Sequence, residues 1–157
     1  MLDNSSAYVN YGKYLEAQVN YETISADEFG RSLSGIGLNI LVKDVCRSVS
    51  FLERVFALKY HQVSDDFAIV SHNNHVFQLH ADRTYRSHPM INLVPESPPR
   101  GLGIEIRLYD CDPDTAVKNA EICEYHVLEP ALTKPHGLRE AFIQCHDGYV
   151  WCPSKKS

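Results

Sequence analysis

Apolar and polar positions along the chain follow one pattern, used twice. Residues 35–44, GIGLNILVKD, recur at 101–110 as GLGIEIRLYD, with glycine on glycine twice and aspartate on aspartate. A repeat of that quality indicates one structural unit used twice. In the first copy Ile36, Leu38, Ile40 and Val42 alternate with Gly37, Asn39, Leu41 and Lys43. That is the period of a strand over 36–43 with one covered face. Val45, Val49, Leu52, Val55 and Phe56 supply the cover at helical spacing and predict a helix over 46–56. Short β-rich runs at 60–63, 67–70 and 76–80, with turn residues at Asn73 and Asn74, predict an antiparallel meander. One unit is therefore β-α-β-β-β.

The second unit restarts at Gly101, where Ile104, Ile106 and Leu108 face a helix layer and Gly103, Glu105, Arg107 and Tyr109 face away. Asp112 followed by Pro113 is a helix start, an acidic cap with proline at the first helical position. Ala116, Val117, Ala120 and Cys123 form the apolar side of that helix. Strands are expected near 125–128, 141–144 and 149–152, the last pair joined by a turn over 146–148. A second internal match supports this, SHNNHVFQ at 71–78 against CHDGYVWC at 145–152. The loop KPHGLRE, 134–140, has no counterpart in the first unit.

The organisation that results is an N-terminal arm over 1–34, one domain over 35–153 and a short tail at 154–157. The domain divides into unit one at 35–82, a connector at 83–100 and unit two at 101–153. The arm holds Tyr8, Tyr11, Tyr14 and Tyr21, and Ser25 with Glu28 has capping-box spacing for a short helix over 26–32. It either packs over its own domain or exchanges with a second subunit. Residues 81–100 hold four prolines and no sustained period, which marks a connection long enough to be functional.

Composition narrows the partners. A net charge of −5 offers no basic stripe for nucleic acid or an anionic membrane. No apolar run approaches the roughly 20 residues of a membrane span, and the N-terminus lacks a signal-peptide pattern. The five cysteines are odd in number, with no zinc-finger spacing, and read as reduced thiols in a cytoplasmic protein.

Two tandem β-α-β-β-β units, each opening strand to Asp to helix, with the KPHGLRE loop and a final DGYVW hairpin, resemble the glyoxalase, bleomycin-resistance and extradiol-dioxygenase superfamily, the vicinal oxygen chelate proteins. The resemblance covers about residues 35–153. It implies an α+β fold in which a mixed sheet curls into a cup with helices on its convex face, and a homodimer. Many members hold a divalent metal in the cup, through residues of the first and last strands of each unit. Carried over, those places are Gly37, Gln78, Gly103 and Cys152. Two glycines cannot ligate through a side chain, so the usual metal site is not expected.

Alternation assigns Asn39, Leu41, Glu105, Arg107, Val76, Gln78, His80, Val150 and Cys152 to the cup face. A half-polar, half-apolar lining suits a small molecule. Glu105 is the candidate acceptor or general base and Arg107 the candidate anion anchor, unless the two only solvate each other. His80 is a candidate proton shuttle. Asn39, Gln78 and Cys152 line the cup, and His136 and Arg139, in a loop that borders the pocket in similar proteins, are candidate ligand contacts. Tyr85, Arg86 and His88 of the connector are placed to cover the mouth. Two functions follow: a metal-free small-molecule binding protein, or a metal-dependent lyase, isomerase or dioxygenase of the glyoxalase type using Glu105, His80 and Gln78.

Overall fold

The computed structural model describes residues 19–157. Helix α1, Ala26–Ser32, precedes β1, Asn39–Val42, and α2, Val45–Phe56. Strands β2, Lys59–His61, β3, Phe67–His72, and β4, His75–Ala81, complete unit one. Two 3-10 turns, Asp82–Tyr85 and Pro89–Leu93, give the connector local structure. Unit two comprises β5, Glu105–Tyr109, α3, Pro113–Ile122, β6, His126–Thr133, β7, Leu138–Gln144, and β8, Val150–Lys156. The chain is α+β, each unit β-α-β-β-β as its repeat predicts.

The strands divide between two mixed four-stranded sheets, ordered β1-β4-β3-β2 and β5-β8-β7-β6. In each, the opening strand lies parallel to the closing one. Asn39 pairs with Gln78 and Leu41 with His80, while Glu105 pairs with Val150 and Arg107 with Cys152. The odd and even positions assigned to one face therefore do share it within each sheet. The other faces of both sheets meet α2 and α3 in a single core, with Trp151 near its centre. Its ring centroid lies 6.2 Å from Phe51, 6.1 Å from Phe56 and 5.8 Å from Phe77. Burial of each such side chain contributes about 1.5–3 kcal/mol, which makes this layer the main adhesive between units.

Helix α2 buries its predicted stripe, starts on an Asp44 carboxylate that accepts from Arg47 N at 2.8 Å, and ends at Ala57 in the left-handed region. Helix α3 starts as expected, with Asp112 accepting from Asp114 N at 3.1 Å and Pro113 following. The opening strands are shorter than the alternation implied. Residues 36–38 only touch the ladder, through Gln78 N to Leu38 O at 2.9 Å, and 101–104 form a turn closed by Ile104 N to Gly101 O at 3.1 Å. Gly101 and Gly103 take positive φ in that turn, a conformation incompatible with a continuous strand. At the other end, residues 154–156, expected as tail, continue β8.

The units clasp each other by equivalent contacts. The turn residue Asn73 of unit one donates from Nδ2 to Tyr109 O at 3.4 Å, and the backbone N of Lys43 donates to Asp147 Oδ1 of the unit-two turn at 3.4 Å. Asn73 and Asp147 correspond in the repeat, as do Lys43 and Tyr109. Residues 19–34 pack over unit one of their own chain: the Gln62 side chain donates to Tyr21 O and Ile24 O, and Tyr21 stacks on His61 at 5.5 Å. The capping box of α1 is present. Tyr8, Tyr11 and Tyr14 lie outside the described residues.

Candidate functional site

On the face of the second sheet away from the helices, β5, β7 and β8 bring together a charged cluster. Arg107 bonds both Glu105 and Glu140 and lies 3.4 Å from Ser154 Oγ. His136 Nε2 is 2.9 Å from the same Glu140 oxygen. Glu140 is only 2% exposed, so its charge depends on these partners. Burial pushes its pKa up, but the His136 hydrogen bond and the Arg107 charge outweigh that and hold it below the ordinary carboxylate range. Burial likewise opposes the charge on Arg107, yet Glu105, Cys152 and Glu140 leave the guanidinium more firmly protonated than usual. Its carbon stands 5.7 Å above the Tyr109 ring. This is a preorganised donor fork with two carboxylates already on it.

Cys152 is buried beside this cluster, its Sγ 3.4 Å from Ser154 Oγ. Burial raises its pKa, so the thiol stays protonated and serves packing.

The matching face of the first sheet is aromatic. His80 stacks between Phe67 at 5.2 Å and Tyr85 at 5.3 Å, and Tyr85 continues to His88 at 4.9 Å. Asn39 Nδ2 donates to Tyr85 Oη at 3.2 Å, so the connector does cover this face, as Tyr85 and His88 suggested. Burial lowers the pKa of His80, and its Nε2 is buried without a partner among the described residues. It is a neutral imidazole near neutral pH.

The structure separates residues that the alternation grouped. His80, Gln78 and Asn39 lie on the first sheet, Glu105, Arg107 and Cys152 on the second, and no hydrogen bond among the described residues joins the two sets. Arg139 lies on the opposite face of β7 from Glu140 and is engaged bidentately by Asp114 of α3 at 2.7 and 2.6 Å. It ties a helix to a sheet, a correction to its placement among the ligand contacts. Glu140 takes the role in the cluster that sequence reasoning missed. Its place at the end of the polar run KPHGLRE gave no sign of a strand position.

A second charged site lies under the connector. Arg100, 1% exposed, donates from both terminal nitrogens to Asp82 at 2.7 Å each. These bonds hold the Asp82 carboxyl below its ordinary range. The backbone of Pro99 and Arg100 crosses the β7–β8 turn so closely that a Cβ on Gly148 would lie 2.5 Å from Pro99 Cα. Tyr149 closes the joint by donating to Leu41 O at 2.9 Å, and burial raises its pKa to about 12. Beside Arg100 a cleft of about 410 Å³ opens between the end of the first sheet and the connector.

The residues present do not fit the metal site that the resemblance implies. Gly37 and Gly103 offer no side-chain donor, Cys152 is a buried protonated thiol, and Gln78 stands alone. Among the described residues no three His, Cys, Asp or Glu side chains lie together to hold an ion.

No protein-family model matches the sequence, and no curated protein is similar to it in sequence. Solved structures match in fold. A glyoxalase/bleomycin resistance protein/dioxygenase family enzyme from Burkholderia phytofirmans PsJN is similar with a TM-score of 0.64 at 13% identity, over 77% of this chain and 97% of that one. A glyoxalase-related enzyme from Fulvimarina pelagi gives 0.62 at 14% identity, over 79% and 89%. A glyoxalase/bleomycin resistance protein/dioxygenase from Nocardioides gives 0.59 at 16% identity, over 82% and 89%. The chain has the glyoxalase/bleomycin-resistance fold. No helix among the described residues is long and apolar enough to cross a membrane.

Proposed function

We propose that this chain is a glyoxalase/bleomycin-resistance-like protein that binds a small molecule on the sheet faces turned away from its helices, without the family's usual metal. The observation that carries this is the cluster of Arg107 with Glu105, Glu140 and His136, beside Phe142, Val150 and Cys152, on a sheet whose two carried-over family ligand positions are a glycine, Gly103, and a buried thiol, Cys152. Such a face offers apolar surface for grip and a fixed guanidinium for orientation. Arg107 anchors a polar or anionic group of the ligand, and His136 borders it. Asn39 and Gln78 line the corresponding face of the first sheet.

The same reading carries a homodimer. Ile36, Leu102 and Ile104 are exposed on the lead-in segments of both opening strands, where a second copy would cover them. Five free cysteines suit a cytoplasmic setting. The metal-dependent alternative, with Glu105, His80 and Gln78 as its working residues, is disfavoured because His80 and Gln78 stand on one sheet and Glu105, held by Arg107, on the other.

The test is a thermal-shift screen of chelator-stripped protein against a small-molecule library and, in parallel, zinc, nickel, manganese and anaerobic ferrous iron. A ligand at a hundredfold excess over Kd stabilises by about 2.7 kcal/mol, well within reach of a melting curve. The expected result is stabilisation by a library member that Arg107→Ala abolishes. A metal-specific rise that Glu105→Ala removes would overturn the proposal in favour of the enzyme.

A further inference from the structure

The cleft under the connector has a charge arrangement that the proposed function does not use. Its floor is Arg100, whose two terminal nitrogens are both taken by Asp82. Asp82 is thereby committed, and the ammonium of Lys43, 3.6 Å from it, is left short of a close partner. Lys43 reaches instead to Glu96 of the connector at 2.6 Å, although the Glu96 side chain is 94% exposed. A pair with one member in open solvent is weak and readily exchanged. Arg83 is paired with Asp66 outside the cleft. Arg86, also lining it, makes no hydrogen bond or ion pair among the described residues. The remaining wall is apolar, formed by Ile91 and Val94.

Lys43 and Arg86 thus line one cleft, with a single dispensable carboxylate on Lys43, above a neutralised floor and beside an apolar wall. We propose that this cleft binds a small carboxylate with an apolar body. The carboxylate takes the place of Glu96 on Lys43 and is shared with Arg86, while the body lies on Ile91 and Val94. Glu96 already demonstrates the geometry, since it is a carboxylate that the connector delivers to Lys43. The volume of about 410 Å³ falls within the range of small-molecule sites. An apolar wall favours an organic acid over a bare inorganic anion, which would leave that surface wet.

The experiment is isothermal titration of the full chain at low salt with benzoate, its neutral isostere benzamide, and inorganic phosphate. Benzoate is expected to bind at least about tenfold more tightly than benzamide, as a charge-assisted contact requires. Arg86→Ala and Lys43→Met are each expected to weaken benzoate by a similar factor. Glu96→Gln is expected to tighten it by about threefold, because it removes the competing carboxylate. Arg139→Ala, a cation paired with Asp114 away from the cleft, is expected to leave the titration unchanged, and Arg107→Ala reports any benzoate held on the second sheet.

Equal binding of benzoate and benzamide would overturn the proposal, as would no binding of any probe at millimolar concentration. Phosphate binding tighter than benzoate would remove the role of Ile91 and Val94. No tightening in Glu96→Gln would remove the competition on which the site rests. Loss of benzoate binding in Arg107→Ala would move it to the second sheet, overturning this inference while leaving the function proposed above intact.

Discussion

Units one and two share an order of elements, a helix cap and a clasp, yet they differ in what their second hairpin turn touches. In unit one that turn, at Asn73 and Asn74, is exposed. In unit two the equivalent Asp147 and Gly148 are buried beneath Pro99 and Arg100. The difference comes from the connector, which leaves unit one and passes over unit two's turn. Duplication supplies the symmetric frame, and the single strand of linker that joins the copies breaks it. Two arginine–carboxylate pairs then lie in different places: Arg100 with Asp82 at the connector, Arg107 with Glu140 on the second sheet's face.

The most damaging way to test the contrast is Arg100→Ala. It takes the guanidinium from the buried Asp147 and the partly exposed Asp82, and removing one partner of a buried pair costs about 3–5 kcal/mol. Urea denaturation is expected to show that loss, and a change under about 1 kcal/mol would mean the connector is not structural. Gly148→Ala follows. Its φ of +87° disfavours a side chain, and the added Cβ meets backbone atoms of Pro99 and Arg100, which cannot yield as a flexible side chain would. A cost of about 1–3 kcal/mol is expected, whereas Asn74→Ala at the matching exposed turn is expected to stay within about 0.5 kcal/mol. Equal effects at the two turns would erase the asymmetry.

The smallest effect is in acid. The carboxyl of Glu140 is held below its ordinary range, so its contribution is present above the unfolded value near pH ~4.3 and is lost as pH falls through the lower folded value. Glu140→Gln is expected to flatten the decline in stability below about pH 4 while lowering stability at pH 7. Denaturation midpoints at pH 7, 4 and 3 check this, and parallel declines in both proteins would sink it.

The repeat and its alternation carried the fold a long way, because strand pairing in a half-buried sheet follows side-chain period. Asn39 opposite Gln78 and Arg107 opposite Cys152 are direct outcomes. What failed was local. KPHGLRE reads as a polar loop, and a loop assigns no face, so Arg139 and Glu140 could not be told apart until β7 was found to begin at Leu138. Alternation also assigns a face only within a sheet; it cannot tell whether two sheets face each other, and so His80 and Glu105 were grouped. Arg100 escaped for a different reason. It ends a proline-rich stretch whose composition signals exposure, and a buried arginine leaves no periodic trace.

The clasp also orders events in time. Tyr149 grips the backbone of Leu41 across 108 positions, and Asp147 meets Lys43 across 104. Contacts of such separation form late, since a long chain segment must be closed before they gain anything. On the ribosome, unit one can assemble its sheet and helix early, but the clasp on its first strand waits for the last hairpin to emerge. The cleft beneath the connector, floored by Arg100, is sealed only at that moment, so a chain halted short of residue 149 would expose an unfinished edge where the complete one offers a site.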